Sequence, residues 1–212
     1  MKTDDLIAAL AADTGAVQPI APQLMLRAGI ALLVSAGIVL AILGIRPGLV
    51  AAITAPVTAL KWLLPLALAG AGLVASLRLS RPTAAPRLTE AWLPGAVAAL
   101  ALVLLGTALT RIDTGARMAA VLGDSAGICL ISVLAIAALP LGIALAVLRS
   151  GASPRPGLSG AMAGLAVGGA SAAVYAMHCN EDAPTFFVTW YGLGIIVVTL
   201  AGWAIGRRTL RW

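Results

Sequence analysis

Five consecutive residues, His178-Cys179-Asn180-Glu181-Asp182, hold the only histidine of the 212-residue chain, one of its two cysteines and two of its eight acids. They offer nitrogen, sulfur and oxygen donors in one short stretch. If Cys129 joins them from a neighbouring helix, Cys129, Cys179, His178 and Glu181 form a Cys₂His site with a carboxylate, which suits a thiophilic divalent metal. The same two thiols could instead close a disulfide, provided their Cα atoms come within about 7 Å. A third reading assigns no chemistry: Cys129 packs among small residues, and His178–Cys179 is an ordinary loop pair. The sequence carries no nucleophile–base–acid set, no phosphate loop and no CxxC pair of the kind that makes a thiolate reactive. It therefore reads as a non-enzyme with no required cofactor, and a transient divalent heavy metal is the one ligand its donors suggest.

The elements that must position these residues are membrane spans. Hydrophobic residues make up 61% of the chain and charged residues 10%, against about 25% charged in a soluble domain. Mean hydropathy is +1.03. A helix crossing the hydrocarbon needs about 20 apolar residues. Six windows meet this: Ala28–Ile45, Val57–Leu77, Ala91–Thr110, Ser125–Leu148, Gly157–Met177 and Pro184–Gly206. The expected fold is all-α, a six-helix transmembrane bundle over 25–212 preceded by a short cytoplasmic segment over 1–24. That segment is no signal peptide, because Asp4, Asp5 and Asp13 stand where a basic region should be. The net charge of +6 does not point to nucleic acid, since the basic residues flank apolar segments rather than forming a patch among exposed aromatics.

With the N-terminus inside, ten of the 14 basic residues fall on the inner side, and Arg46, Lys61, Arg111 and Arg117 on the outer. The positive-inside rule then puts both termini in the cytoplasm. The 178–182 cluster lies outside, and Cys129 lies about 6–8 Å below the outer boundary at 1.5 Å per residue. The two cysteines, 50 positions apart, share one depth. Lys61, near the start of its span, is expected to snorkel to the headgroups. Phe186, Phe187, Trp190 and Tyr191 are expected in the outer interfacial belt, with Trp212 near the inner face. No acid, histidine or lysine falls at mid-span, which counts against an ion-coupled transporter. A small heavy-metal transporter or channel remains a rival reading, as does an assembly subunit. Gly160, Gly164 and Gly168 form a small-residue stripe for close helix packing, within the chain or across a homodimer.

The N-terminal segment reads as a helix with Thr3 as its cap and Asp4 and Asp5 at its positive end. Leu6, Ile7 and Leu10 share one face, and Asp13 and Val17 follow. A membrane-surface helix favours lysine and arginine on its polar face. An acidic one suits a groove on a basic partner protein.

Several stretches together resemble the NrsF-like anti-sigma factors, six-span inner-membrane proteins of proteobacteria. These are Leu6-Ile7-Ala8-Ala9-Leu10-Ala11-Ala12-Asp13, Ser125-Ala126-Gly127-Ile128-Cys129-Leu130, Arg155-Pro156-Gly157-Leu158-Ser159-Gly160, and His178-Cys179-Asn180-Glu181. Phe186, Trp190-Tyr191, Gly194-Ile195 and Leu210-Arg211-Trp212 complete the set. Ala16 departs from the pattern, standing where proline is expected before Val17. The resemblance implies an anti-sigma factor that holds an extracytoplasmic-function sigma factor through its N-terminal segment. It also implies release on heavy-metal or oxidative stress, with Cys129 and Cys179 as the sensing residues.

Overall fold

In a computed structural model, the described residues are 3–12, 19–84 and 88–211. Among them every regular element is helical: α1 (Thr3–Ala12), α2 (Ile20–Leu43), α3 (Leu49–Thr54), α4 (Pro56–Leu79), α5 (Leu88–Thr110), α6 (Arg117–Leu122), α7 (Ala126–Leu148), α8 (Pro156–Tyr175) and α9 (Pro184–Thr209). Six of these, α2, α4, α5, α7, α8 and α9, are long and apolar enough to cross a membrane. The protein is a six-span all-α membrane protein, as expected. In hydrocarbon an unpaired backbone group has no water to bond, so each span satisfies its own backbone as a helix. Three spans start on a proline, Pro56, Pro156 or Pro184, where the missing N–H costs nothing.

Most span ends differ from the sequence reading by one to three residues, and one start differs by more. The first span starts eight residues early, at Ile20 rather than Ala28. Pro22 sits in its first turn, where proline is tolerated, and Arg27 is an exposed residue along the helix rather than its end. The short α3 and α6 were not foreseen. They lie in the two connections at the end of the bundle that carries Cys179, and each is only six residues long, too short for periodicity to register.

Helix α8 is the centre of the bundle. It packs along α9, α4 and α7, while α2 rests chiefly on α7, and α5 chiefly on α4 and α9. The close packing of α8 follows from its glycines. A Cβ at Gly164 would lie 2.5 Å from the Val198 carbonyl oxygen, and one at Gly160 would collide with that of Gly202. Gly169, beside the stripe, faces the Pro65 carbonyl of α4 instead, and Gly72 of α4 returns the contact against Ala166. The stripe Gly160–Gly164–Gly168 is thus filled by α9 of the same chain. Without water-driven attraction between helices, such backbone approach is a main source of attraction.

Replacing Gly164 with valine forces α8 off α9. Overpacking costs about 1–3 kcal/mol, so Gly164→Val should lower the unfolding temperature of the detergent-solubilised protein. Gly192→Ala, whose added Cβ meets open space, should leave it unchanged.

Candidate functional site

The 178–182 stretch forms the turn between α8 and α9. It is tied to three other parts of the chain. The first is the α2–α3 connection. Gly44 closes α2 with φ +82, a left-handed conformation that favours glycine. Its carbonyl lies 2.9 Å from His178 Nδ1. A carbonyl can only accept, so Nδ1 carries the proton. Two residues on, the Arg46 backbone N–H donates to Met177 O at 2.9 Å. The Arg46 guanidinium forks onto Asp182, with Nη1 2.6 Å from Oδ1 and Nη2 2.8 Å from Oδ2, and Nη1 also donates to Cys179 O at 2.9 Å.

The second tie is α4. Lys61 is completely buried, and its Nζ donates to Cys179 O at 2.9 Å and to Asp182 Oδ1 at 3.0 Å. The expectation that Lys61 snorkels to the headgroups is therefore corrected. Lys61 lies in the second turn of α4, and a carboxylate from another part of the chain meets it inside the protein. The third tie is the α6–α7 region. Glu181 Oε1 accepts from the Asp124 backbone N–H at 2.9 Å, Thr185 Oγ1 donates to Ala120 O at 2.8 Å, and Trp190 Nε1 donates to Val121 O at 2.8 Å. Gly123 makes room for this: with φ +52, its Cβ would lie 2.5 Å from the Phe186 ring.

Beneath the turn, both cysteines are free and buried. They share one apolar cluster with Val133, Tyr175, Phe186, Phe187 and Tyr191. The two tyrosine hydroxyls are buried with no hydrogen-bond partner. Phe186, Phe187 and Tyr191 are core residues, not an interfacial belt. α9 is wedged among α5, α6, α7 and α8, so its first turns face protein on nearly every side. Trp190 alone stays half-buried.

The sequence-predicted ligand set is only partly brought together. Cys129 and Cys179 fall in the same buried cluster. His178 turns to Gly44 and Glu181 to Asp124, and among the described residues no three His, Cys, Asp or Glu side chains are grouped to hold a metal. The four-donor site does not fit this arrangement; the two thiols do remain as a pair. Of the predicted partner-binding residues, Leu6, Ile7 and Leu10 lie on α1, with Ile7 exposed. α1 starts on Thr3, which is its first helical residue rather than its cap. Asp13 and Val17 lie outside the described residues, as does Trp212.

Arg46, Lys61 and Asp182 were missed as a unit. One signal was available: a lysine inside an apolar span needs a carboxylate at the same end of the bundle, and Asp182 stands next to the residues already singled out. Burial pushes the Asp182 carboxyl up, but hydrogen bonds from Arg46 and Lys61, and their charges, outweigh it and hold it below its ordinary value. Its hydrogen bond to Asp182 in turn raises Arg46 against the opposing effect of burial.

The family model for NrsF, described as "Negative regulator of sigma F", matches residues 10–212. The chain belongs to the NrsF family. It is 39% identical to the "Anti-sigma-F factor NrsF" of Caulobacter vibrioides and 38% identical to the "Probable anti-sigma-F factor NrsF" of Azospira oryzae, and in both cases the whole of each chain is covered. No solved structure matches it. The NrsF match takes in all six spans, both cysteines and the Arg46–Lys61–Asp182 group.

Asp182→Asn removes the carboxylate and leaves Lys61 buried against a carbonyl alone. Breaking a fully buried pair costs about 3–5 kcal/mol. Asp182 is 37% exposed, and solvent screening reduces this to about 2 kcal/mol. A carboxyl held below its ordinary value stabilises the fold above that value and loses the effect as pH falls through the folded one. The stability gap between wild type and Asp182→Asn should therefore be full at neutral pH and shrink below the ordinary value of 3.8, read by unfolding across an acid series.

Proposed function

We propose that this protein is a membrane-bound anti-sigma factor of the bacterial inner membrane. It holds an extracytoplasmic-function sigma factor through its N-terminal segment and releases it under heavy-metal or oxidative stress. End-to-end kinship with proteins named anti-sigma-F factors carries the first part of this reading. The acidic first turn of α1, with Asp4 and Asp5 beside exposed Ile7, suits a basic, partly apolar groove on the partner. Both termini are cytoplasmic, and the turn bearing Cys179 faces outside, in keeping with the excess of basic residues on the other side.

The sensor in this reading is the thiol pair Cys129 and Cys179. The two thiols lie in one buried cluster. A thiophilic divalent ion can take both sulfurs as thiolates. A two-electron oxidant can instead join them, each thiol giving up one proton and one electron as the S–S bond forms. Either event replaces two independent side chains with one rigid link. Protein function here consists of binding and release, with no catalytic step and no resident cofactor.

Two experiments test the two parts. Membranes carrying the full-length protein should retain a sigma factor on affinity purification, and a version lacking residues 2–20 should lose it. Retention by the truncated form would overturn the role of the N-terminal segment. For the sensor, the Cys129→Ser, Cys179→Ser double variant should keep its sigma factor after cadmium or peroxide treatment that strips it from wild type. Normal release from the variant would overturn thiol sensing and leave sequestration standing.

A further inference from the structure

The residue that would change under stress is already gripped by its backbone. Cys179 O accepts from both Arg46 Nη1 and Lys61 Nζ, each at 2.9 Å. Arg46 also binds the turn through its own N–H to Met177 O and through its fork on Asp182. With His178 Nδ1 on Gly44 O, residues 44–46 hold four positions of the turn, 177, 178, 179 and 182. Residues 44–46 follow directly on α2, and α2 is the span whose far end joins the N-terminal segment.

The helices that flank the turn are poorly placed to respond. α8 is locked to α9 and α4 through backbone contacts at Gly160, Gly164, Gly169 and Gly72, so sliding either helix requires carbonyls to pass through one another. α2 is held differently. A Cβ added at its Gly29 or Gly37 would meet open space. It rests on α7, and an apolar groove of about 340 Å³ separates it from α4, lined by Leu24, Ala28, Leu32, Ala69, Gly70 and Leu73 among others. At its opposite end Ile20 lies against the Gly151 turn and packs, with Leu24, on the core cluster around Leu141 and Leu145. Among the spans, α2 combines a direct grip on Cys179, open space at one flank and direct continuity with the N-terminal segment.

We propose that Arg46 is the positioning residue that couples Cys179 to the N-terminal segment, by transmitting movement of the 177–182 turn to α2. Drawing Cys179 toward Cys129 turns its carbonyl, and the carbonyl carries Arg46 and the end of α2 with it. Lys61 shares the carbonyl but belongs to α4, which Gly72 and Gly169 fix against α8. Lys61 is therefore the static side of the grip and Arg46 the moving one. This rests on the anti-sigma reading and on thiol sensing, and its test separates all three.

The measurement is the amount of sigma factor co-purifying with the full-length membrane protein before and after cadmium chloride, with thiol status read in parallel by a mass-tagged maleimide. Arg46→Ala is compared with wild type and with Arg111→Ala, which removes an exposed basic residue at the same end of the bundle. The expected result for Arg46→Ala is normal retention before treatment and normal loss of maleimide labelling after it. Release should fall by about fivefold or more, the low end of coupling between linked sites. Arg111→Ala should behave as wild type. Two results overturn the proposal: full release from Arg46→Ala, or absence of bound sigma factor before treatment despite normal membrane levels, which makes Arg46 part of the holding state itself. If Arg46→Ala does not accumulate, Arg46→Lys keeps the charge but loses the fork, and it is read by the same criteria. If wild type holds no sigma factor, the anti-sigma reading is what fails. If the double serine variant releases normally, thiol sensing fails and the coupling of Cys179 through Arg46 is overturned with it.

Discussion

One carboxylate sets the arrangement of the cysteine-bearing end. Asp182 receives a forked pair of bonds from Arg46 and a third from Lys61. Lys61 is fully buried, and an ammonium in such surroundings is costly unless a carboxylate and further acceptors surround it. Asp182 and the Cys179 carbonyl are those acceptors. The turn between α8 and α9 therefore cannot adopt a conformation that faces Asp182 away without leaving a bare cation inside the bundle. That constraint fixes Cys179 above its apolar cluster, brings the end of α2 to the turn, and gives α4 its register beside α8.

A second constraint, of a different kind, governs the rest of the bundle. Along α8 the attraction is short-ranged and steric: glycines at Gly160, Gly164 and Gly169 let two neighbouring backbones approach to contact. Such contacts tolerate no sliding. At the end of α2 the hold is polar instead: the Arg46 side chain and its backbone N–H both bind the turn. The molecule combines a glycine-packed trio, α4, α8 and α9, with an α2 that rests on α7, the helix that carries Cys129.

The six spans were legible because a run of apolar residues long enough to cross hydrocarbon has few other uses. Their ends were less so: Arg27 looks like a boundary, yet a helix in a bilayer can carry an arginine along its side and start earlier. That Cys129 and Cys179 fall in one cluster agrees with the alternation of spans, which puts both toward one end of the bundle. The ionic group was not legible, because its members lie 121 and 136 positions apart and spacing says nothing about which side chains meet across a bundle. The aromatics failed for a related reason. Phe186 and Tyr191 begin a span in the manner of a belt, and only the packing of α9 among its neighbouring helices makes them core. His178 and Glu181 had the right atoms for a metal, but backbone groups at Gly44 and Asp124 occupy them.

The distance along the chain between Lys61 and Asp182 also has a meaning in time. Lys61 leaves the ribosome 121 residues ahead of its partner. At about 5–20 residues per second, the lysine waits roughly 6–24 seconds for a carboxylate. During that interval α4 must be kept in place by the insertion machinery or by headgroups at the membrane surface, since the newborn helix carries an unmatched charge. The last hairpin to emerge, α8 with α9, brings both the missing carboxylate and the glycine track on which α4 seats. The bundle is therefore closed from its C-terminal end, and a chain cut short before Asp182 is born with its one apolar-span lysine still seeking water.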